Sequence, residues 1–190
     1  DGNALRYYSH IGTGNFNEKT ARQYTDFSLI TYDQTIGKDI YDVFEFLQYN
    51  YQRPNYRLLL VAPHTARSGL LELIEAEIAN ARAGYRASMT LKCNNLVDKE
   101  LVLKLYEASQ SGVEIRIIVR GMCSLLPGLK DISENIRAIS IVDRYLEHTR
   151  AYVFYNRGKP RYLIGSADLM TRNLDYRVEV LCPVLDQDAQ

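Results

Sequence analysis

Residues 87–119 read Ala87-Ser88-Met89-Thr90-Leu91-Lys92-Cys93-Asn94-Asn95-Leu96-Val97-Asp98-Lys99-Glu100-Leu101-Val102-Leu103-Lys104-Leu105-Tyr106-Glu107-Ala108-Ser109-Gln110-Ser111-Gly112-Val113-Glu114-Ile115-Arg116-Ile117-Ile118-Val119. A β-rich run at 87–92 and another at 113–119 bracket a segment with apolar residues at 101, 102, 105 and 108, the spacing of one helix face. Gly112 stands where that helix, over 97–110, must stop. The same grammar holds one step upstream: strand 57–62, helix 67–83 with apolar residues at 70, 71, 74 and 78, then Gly84. Strands separated by helices of this length require right-handed crossovers and a parallel sheet. Further downstream the strands 137–142, 150–155, 161–165 and 177–183 lie closer together. The expectation is an α/β fold, a mixed sheet flanked by helices.

Upstream of residue 57 the pattern is that of a second, incomplete unit. Strands over 5–11 and 26–31 flank the turn Gly12-Thr13-Gly14-Asn15, and a helix over 36–49 places Ile36, Ile40, Val43, Phe44 and Leu47 on one face. The polar stretch Tyr49 to Tyr56, with Pro54, is the linker. Residues 1–55 are therefore expected to end one domain and 56–190 to form another, itself open at its C-terminal end. A weak internal repeat supports this division, because Ile11-Gly12-Thr13-Gly14-Asn15 matches Ile164-Gly165-Ser166-Ala167-Asp168 at a constant offset. In the second copy a strand precedes the turn; in the first its counterpart would lie before Asp1. With no initiator Met and no signal segment, the chain is expected to be part of a longer protein.

Composition narrows the function classes. The chain has 190 residues, 46% of them apolar, enough for one substantial core. Lys plus Arg equals Asp plus Glu at 23 each, so no overall basic field argues for nucleic acid, and any anion site must be a local cluster. Cys93, Cys123 and Cys182 lack paired metal spacing and are expected to be buried, reduced thiols of a cytoplasmic protein. No apolar run approaches the roughly 20 residues that span a bilayer.

The chemistry concentrates in Ser140-Ile141-Val142-Asp143-Arg144-Tyr145-Leu146-Glu147-His148-Thr149-Arg150 and in the Gly165-Ser166 turn after it. Strand alternation puts His148 and Arg150 on one face, where one group can exchange a proton and the other bind phosphate. The competing reading is a core histidine satisfied by Glu147 or a carbonyl. Arg120 ends the strand 115–119 at the C-terminal edge of a parallel sheet, where α/β ligands bind, and Lys92 ends the neighbouring strand before Asn94 and Asn95. Both are candidate phosphate clamps. The turn ending in Asn15 could cradle a phosphate on its N–H groups, but it is neither a P-loop nor a Rossmann turn. His10 abuts that turn yet aligns with Leu163 in the repeat, so it is a supporting candidate only. His64, beside Pro63, reads as a solvated loop residue.

The blocks Ser9-His10-Ile11-Gly12-Thr13-Gly14-Asn15-Phe16-Asn17, Ala21-Arg22-Gln23-Tyr24-Thr25-Asp26, Val119-Arg120-Gly121-Met122-Cys123-Ser124-Leu125 and the 140–150 run together resemble the C-terminal half of bacterial polyphosphate kinase, family 1. The resemblance covers nearly the whole chain. It implies two tandem phospholipase D-like domains with a nucleotide and polyphosphate tunnel at their junction, residues 1–55 ending the first and 56–190 forming most of the second. It implies reversible transfer of the terminal phosphate of ATP to polyphosphate, with Mg2+, through a phosphohistidine on the strand that would precede Asp1. On this chain it implies catalytic work for His148, phosphate contacts for Arg120 and Arg150, nucleotide contact for Tyr24 and a pocket role for Arg177. The magnesium contacts are expected upstream. ATP or ADP and polyphosphate would be the partners, the full-length protein a cytoplasmic homo-oligomer that admits peripheral membrane association, and the chain alone inactive. Where phospholipase D enzymes carry His-x-Lys this chain has His148-Thr149-Arg150, which weakens the alternative of a phosphodiesterase or nuclease. A noncatalytic polyphosphate-binding module is the third possibility.

Overall fold

The computed structural model describes residues 5–190. The first unit holds β1 (Ser9–Gly12), the short α1 (Glu18–Ala21), β2 (Tyr24–Thr25), β3 (Ser28–Thr31) and α2 (Gln34–Gln48). The second holds β4 (Leu60–Ala62), α3 (Ala66–Arg82), β5 (Ser88–Cys93), α4 (Lys99–Gln110), β6 (Glu114–Val119), β7 (Ile136–Ile139), β8 (Leu146–Glu147), β9 (Arg150–Phe154), β10 (Arg161–Gly165), α5 (Thr171–Asp175) and β11 (Glu179–Pro183). Seven strands form one mixed sheet in the order β4-β11-β10-β9-β5-β6-β7. Strands β5, β6 and β7 are parallel, while β9, β10, β11 and β4 alternate antiparallel.

Helices α3 and α4 begin and end where local chemistry dictates. Asp98 caps α4 by accepting from the Leu101 N–H, and Gly84 and Gly112 take φ of +80° and +92° after the two helices, a conformation that costs glycine little. Leu70, Ile74 and Ile78 of α3 and Leu101, Leu105 and Ala108 of α4 pack with Met89, Leu91, Ile115, Ile117, Tyr152 and Phe154 of the sheet. Burying each larger apolar side chain contributes about 1.5–3 kcal/mol. The opposite face of β4 and β11 meets the first unit: Val61 and Cys182 pack with Ile11, Ile36 and Val43. Strand alternation explains the split, because Ala62 and Leu181 belong to the first cluster and their neighbours Val61 and Cys182 to the second.

Several expectations are corrected. Strand 57–62 is confined to Leu60–Ala62, because the N–H groups of Arg57, Leu58 and Leu59 all donate to the buried Asp39 carboxylate at 2.7–3.1 Å instead of joining the ladder. That carboxylate ties the linker to α2. Strands β4 and β5, joined by α3, run in the same direction but are separated by β11, β10 and β9. On α2, Ile36 and Val43 are buried, whereas Phe44 and Leu47 are exposed. His64 is not a solvated loop residue: its ring packs edge-on to Phe46 and stacks on Tyr56, with Nδ1 buried and unpartnered. Cys93 and Cys182 are buried, but Cys123 is exposed.

The topology gathers one set of chain ends. Strands β4, β5, β6 and β10 finish, and β9 and β11 start, at the same edge of the sheet, which brings together residues near 94, 120, 148, 166 and 177. No helix among the described residues is long and apolar enough to cross a membrane.

Candidate functional site

The internal repeat is exact in backbone register at an offset of 153 residues. In the first unit His10, Ile11 and Gly12 pair with Ile30, Leu29 and Ser28; in the second, Leu163, Ile164 and Gly165 pair with Pro183, Cys182 and Leu181. The turn after each glycine closes in the same way. The Thr13 N–H donates to the Phe27 carbonyl (3.0 Å) and Thr13 Oγ1 accepts from the Phe27 N–H (2.9 Å); Ser166 and Val180 repeat both bonds at 3.0 and 3.3 Å. Gly165 is required here, because a Cβ would lie 1.9 Å from the Val180 carbonyl oxygen. A short helix follows each turn, α1 from Glu18 and α5 from Thr171.

His148 sits where the two units meet. Strand β8, directly before it, pairs in parallel with β2, Leu146 opposite Tyr24 and Glu147 opposite Thr25. The backbone N–H of His148 and the Thr149 hydroxyl both donate to the Thr25 carbonyl, at 3.3 and 3.0 Å. The His148 Nδ1 lies 3.0 and 3.1 Å from the two Asp26 carboxylate oxygens, and Asp26 also accepts from Thr13 Oγ1 at 2.7 Å. A carboxylate can only accept, so the network assigns the proton of neutral His148 to Nδ1 and leaves Nε2 as the accepting nitrogen, with Arg150 Nη1 2.9 Å from it. The Tyr24 ring packs at 4.9 Å from the imidazole. Burial, then the Arg150 charge, hold the imidazole below its ordinary pKa; the bond to Asp26 acts in the opposite sense and Arg120 adds to the lowering.

Arg150 is buried beside it. Its Nε donates to Asp168 (3.2 Å), and its Nη1 donates to the carbonyls of Thr13 (3.2 Å) and His148 (2.9 Å). The two Nη1 protons match those two carbonyls, so the contacts of Nη1 to both ring nitrogens of His148, at 3.2 and 2.9 Å, place it against the ring. Asp168 also accepts from the Asn94 N–H (2.8 Å) and Asn95 Nδ2 (3.1 Å). Arg120 Nε donates to Asn94 Oδ1 at 2.8 Å and to the Glu147 carbonyl. Lys92 pairs with Glu147 at 2.9 Å and donates to the Thr149 carbonyl. Asn94 Nδ2 is buried without an acceptor.

Of the candidates, the fold brings together Tyr24, Lys92, Arg120, His148 and Arg150. Arg177 is exposed at the same edge, with no ion pair among the described residues; in the repeat it holds the position of Tyr24. His10 is exposed and packs edge-on to Phe16 at 4.8 Å, and Asn15 is exposed; neither reaches His148. The residues that sequence reasoning passed over are Asp26, the partner of His148, and Asp168, the partner of Arg150. The offset of 153 carried the signal for the first, since it sets Asp26 against Glu179, an acid in both copies. Among the described residues no three His, Cys, Asp or Glu side chains come together as a metal site. A concavity of about 670 Å³ lies at the opposite edge of the sheet between Leu58, Phe154, Arg161 and Pro183.

Comparison with known proteins agrees with this geometry. The family model for polyphosphate kinase C-terminal domain 2 matches residues 59–190, and that for C-terminal domain 1 matches residues 1–53. A curated polyphosphate kinase from Salmonella typhimurium is 55% identical over 186 residues, covering 98% of this chain and 27% of that protein. The chain thus spans about a quarter of the length of the curated relatives it matches. The crystal structure of polyphosphate kinase from Porphyromonas gingivalis superposes with a TM-score of 0.93 at 44% identity, over 100% of this chain and 29% of that one. NucT from Helicobacter pylori matches at a TM-score of 0.50 and 15% identity, over 69% of this chain and 86% of its own, a likeness of fold alone.

Proposed function

The chain belongs to the polyphosphate kinase family, and we propose that within a longer protein it supplies one side of a site that moves the terminal phosphoryl group of ATP reversibly onto inorganic polyphosphate. Residues 1–55 end one phospholipase D-like domain and 56–190 form most of the next. The observation that carries this reading is the His148 imidazole, oriented by Asp26 from the other unit and lying at the sheet edge that also holds Arg120 and Lys92.

In this reading a histidine outside residues 1–190 attacks the γ-phosphorus of ATP in line, and ADP departs as its bond to that phosphorus breaks. The terminal oxygen of polyphosphate then displaces the histidine. Nε2 of His148 takes the proton of the attacking phosphate oxygen, and in the reverse direction the imidazolium so formed returns it to the leaving one. Arg120, Lys92 and Arg177 offset the charge of the phosphates, and Tyr24 contacts the nucleotide. Such transfer needs little from the protein beyond positioning and charge stabilisation. Magnesium fits this chain only as a companion of the ATP phosphates, because the described residues offer it no ligand cluster; no step here runs through it. The resemblance alone supports assembly of the full-length protein as a homo-oligomer and a cytoplasmic location.

The test is transfer of label from γ-labelled ATP, with magnesium, into acid-insoluble polymer by the full-length protein and its His148→Ala variant. The variant should lose about 10²–10⁴-fold in rate. Near-normal transfer by the variant would remove His148 from the mechanism, and absence of labelled polymer with the intact protein would overturn the function.

A further inference from the structure

We propose that Arg150 and Asp168 act as one buried unit that fixes the two glycine turns and the His148 imidazole relative to each other, so that Arg150 is a positioning residue rather than a ligand of the phosphate chain. The proposal rests on the reading of His148 as the proton carrier. A phosphate-binding arginine must present free donors to the substrate. Arg150 is 9% exposed, and three of its five N–H donors go to Asp168, to the Thr13 carbonyl of the first unit's turn and to the His148 carbonyl, which leaves Nη2 alone of its nitrogens without an acceptor among the described residues. The carboxylate neutralises the guanidinium locally, and both partners are desolvated, so withdrawing either leaves a buried charge without compensation. Arg120, Lys92 and Arg177 are all less buried than Arg150.

The repeat isolates what Asp168 is for. At the offset of 153 its counterpart is Asn15, a neutral residue exposed after the same turn. The backbone register of the two turns is identical, so the turn itself does not demand an acid. The acid occurs in the copy whose strand β10 pairs with β9 at Arg150, Gly165 opposite it. Asp168 then carries the arrangement to the other side of the site: it holds the Asn94 N–H, and Asn94 Oδ1 receives Arg120 Nε. One ion pair thereby sets His148 through Arg150 and Arg120 through Asn94.

The groups facing His148 are Asp26 and Tyr24 from the first unit, Arg150 at the start of β9 and Arg120 after β6, with Glu147 and its partner Lys92 alongside. Arg150 is the cation in contact with the ring, and its charge opposes protonation of the base. Without it the imidazole takes up a proton at higher pH.

The experiment measures kcat and KM for ATP and for polyphosphate across pH in the full-length protein, for Arg150→Met, Arg150→Lys, Asp168→Asn and the Arg150→Met/Asp168→Asn double variant. Positioning predicts that each single change lowers kcat about 10–100-fold, with KM for polyphosphate held within about threefold. The acid limb of kcat moves to higher pH in Arg150→Met, and the double variant is no worse than the worse single one, as expected of groups that act together. A rise in polyphosphate KM of about tenfold or more with the acid limb unmoved, or a double variant whose losses multiply, overturns the proposal. Should Arg150→Met fail to fold, Arg150→Lys decides alone: one ammonium cannot reach Asp168 and both carbonyls, so kcat must fall, and a KM effect instead refutes positioning. His148→Gln separates the two readings. Survival of the acid limb in that variant defeats the role of His148, and the kcat–KM split still judges Arg150.

Discussion

Replacing Asp98 by asparagine should cost about 3 kcal/mol of stability at neutral pH. The Asp98 carboxylate, 2% exposed, receives both terminal nitrogens of Arg67 at 2.8 and 2.7 Å, the Thr171 hydroxyl at 2.7 Å and the Leu101 N–H at 3.2 Å. It therefore joins the N-termini of α3, α4 and α5 at one point. Asparagine keeps one acceptor for the cap and the guanidinium, but turns an NH₂ group toward the Arg67 and Thr171 donors. Breaking a buried charged pair costs about 3–5 kcal/mol. The lower end applies because Arg67 is 23% exposed and keeps Asp175 and Glu100. For a chain of this size, about 3 kcal/mol corresponds to a drop in Tm of roughly 6–12 °C. Burial pushes the Asp98 carboxyl up, but the bonds from Arg67, Thr171 and the Leu101 N–H outweigh it and hold it below its ordinary value. An acid depressed in the folded state stabilises above its unfolded pKa, near 3.9, and loses that contribution as pH falls through the folded value. Urea denaturation of both forms at pH 7 and pH 3 is the assay. The gap should be wide at pH 7 and narrow at pH 3. A gap under about 1 kcal/mol at pH 7, or one that persists unchanged at pH 3, would refute the assignment.

Gly165→Ala forces a Cβ to within 1.9 Å of the Val180 carbonyl, whereas at the equivalent Gly12 nothing lies closer than 3.6 Å. The first substitution should cost about 1–3 kcal/mol and the second under about 1, and equal melting temperatures would contradict the close approach of β10 and β11. His64 is held below its ordinary pKa by burial and by Arg53. The folded state then binds fewer protons than the unfolded one, so stability falls as pH drops from about 6.5 through the folded value; His64→Phe should gain more at pH 5 than at pH 8, and a gain independent of pH would show that the ring does not titrate this way. Under native conditions Cys123 alone should react with a thiol reagent, because Cys93 and Cys182 are buried and burial raises both thiols, that of Cys182 to about 12. Immediate reaction of all three would contradict the packing.

The main helices and strands were legible because each writes its period into consecutive residues, as in Leu101, Val102, Leu105 and Ala108. Strand order was not, since the crossover from β4 to β5 reads the same whether the two strands touch or have three others between them. Short pairings such as β2 with β8 escape for another reason: two residues have no period, and their partners lie more than 120 positions apart. The Asp39 clamp is a tertiary event, three N–H groups finding one carboxylate 18–20 residues away, and no local pattern encodes it. His148, Arg150, Arg120 and Lys92 were found because strand ends at one sheet edge are predictable. Their acidic partners were not, because Asp26 and Asp168 act through long-range contacts.

The repeat shows where selection of side chains, rather than of backbone, made the site. Two turns of identical register carry Asn15 and Asp168, Tyr24 and Arg177, Asp26 and Glu179 at equivalent positions. The first unit lends His148 an acid and an aromatic ring; the second supplies the histidine and the cations. Neither half is complete alone, yet the backbone joint between them at this point is thin, two residues of β2 against two of β8. Such a joint sets the His148–Asp26 distance only if other contacts hold the units in place. The apolar cluster of Ile11, Ile36, Val61 and Cys182, the Asp39 clamp on the linker and the reach of Arg150 to the Thr13 carbonyl are those contacts. Of the three, only Arg150 touches the imidazole it helps to place, so a change there should reach the chemistry before it reaches the fold.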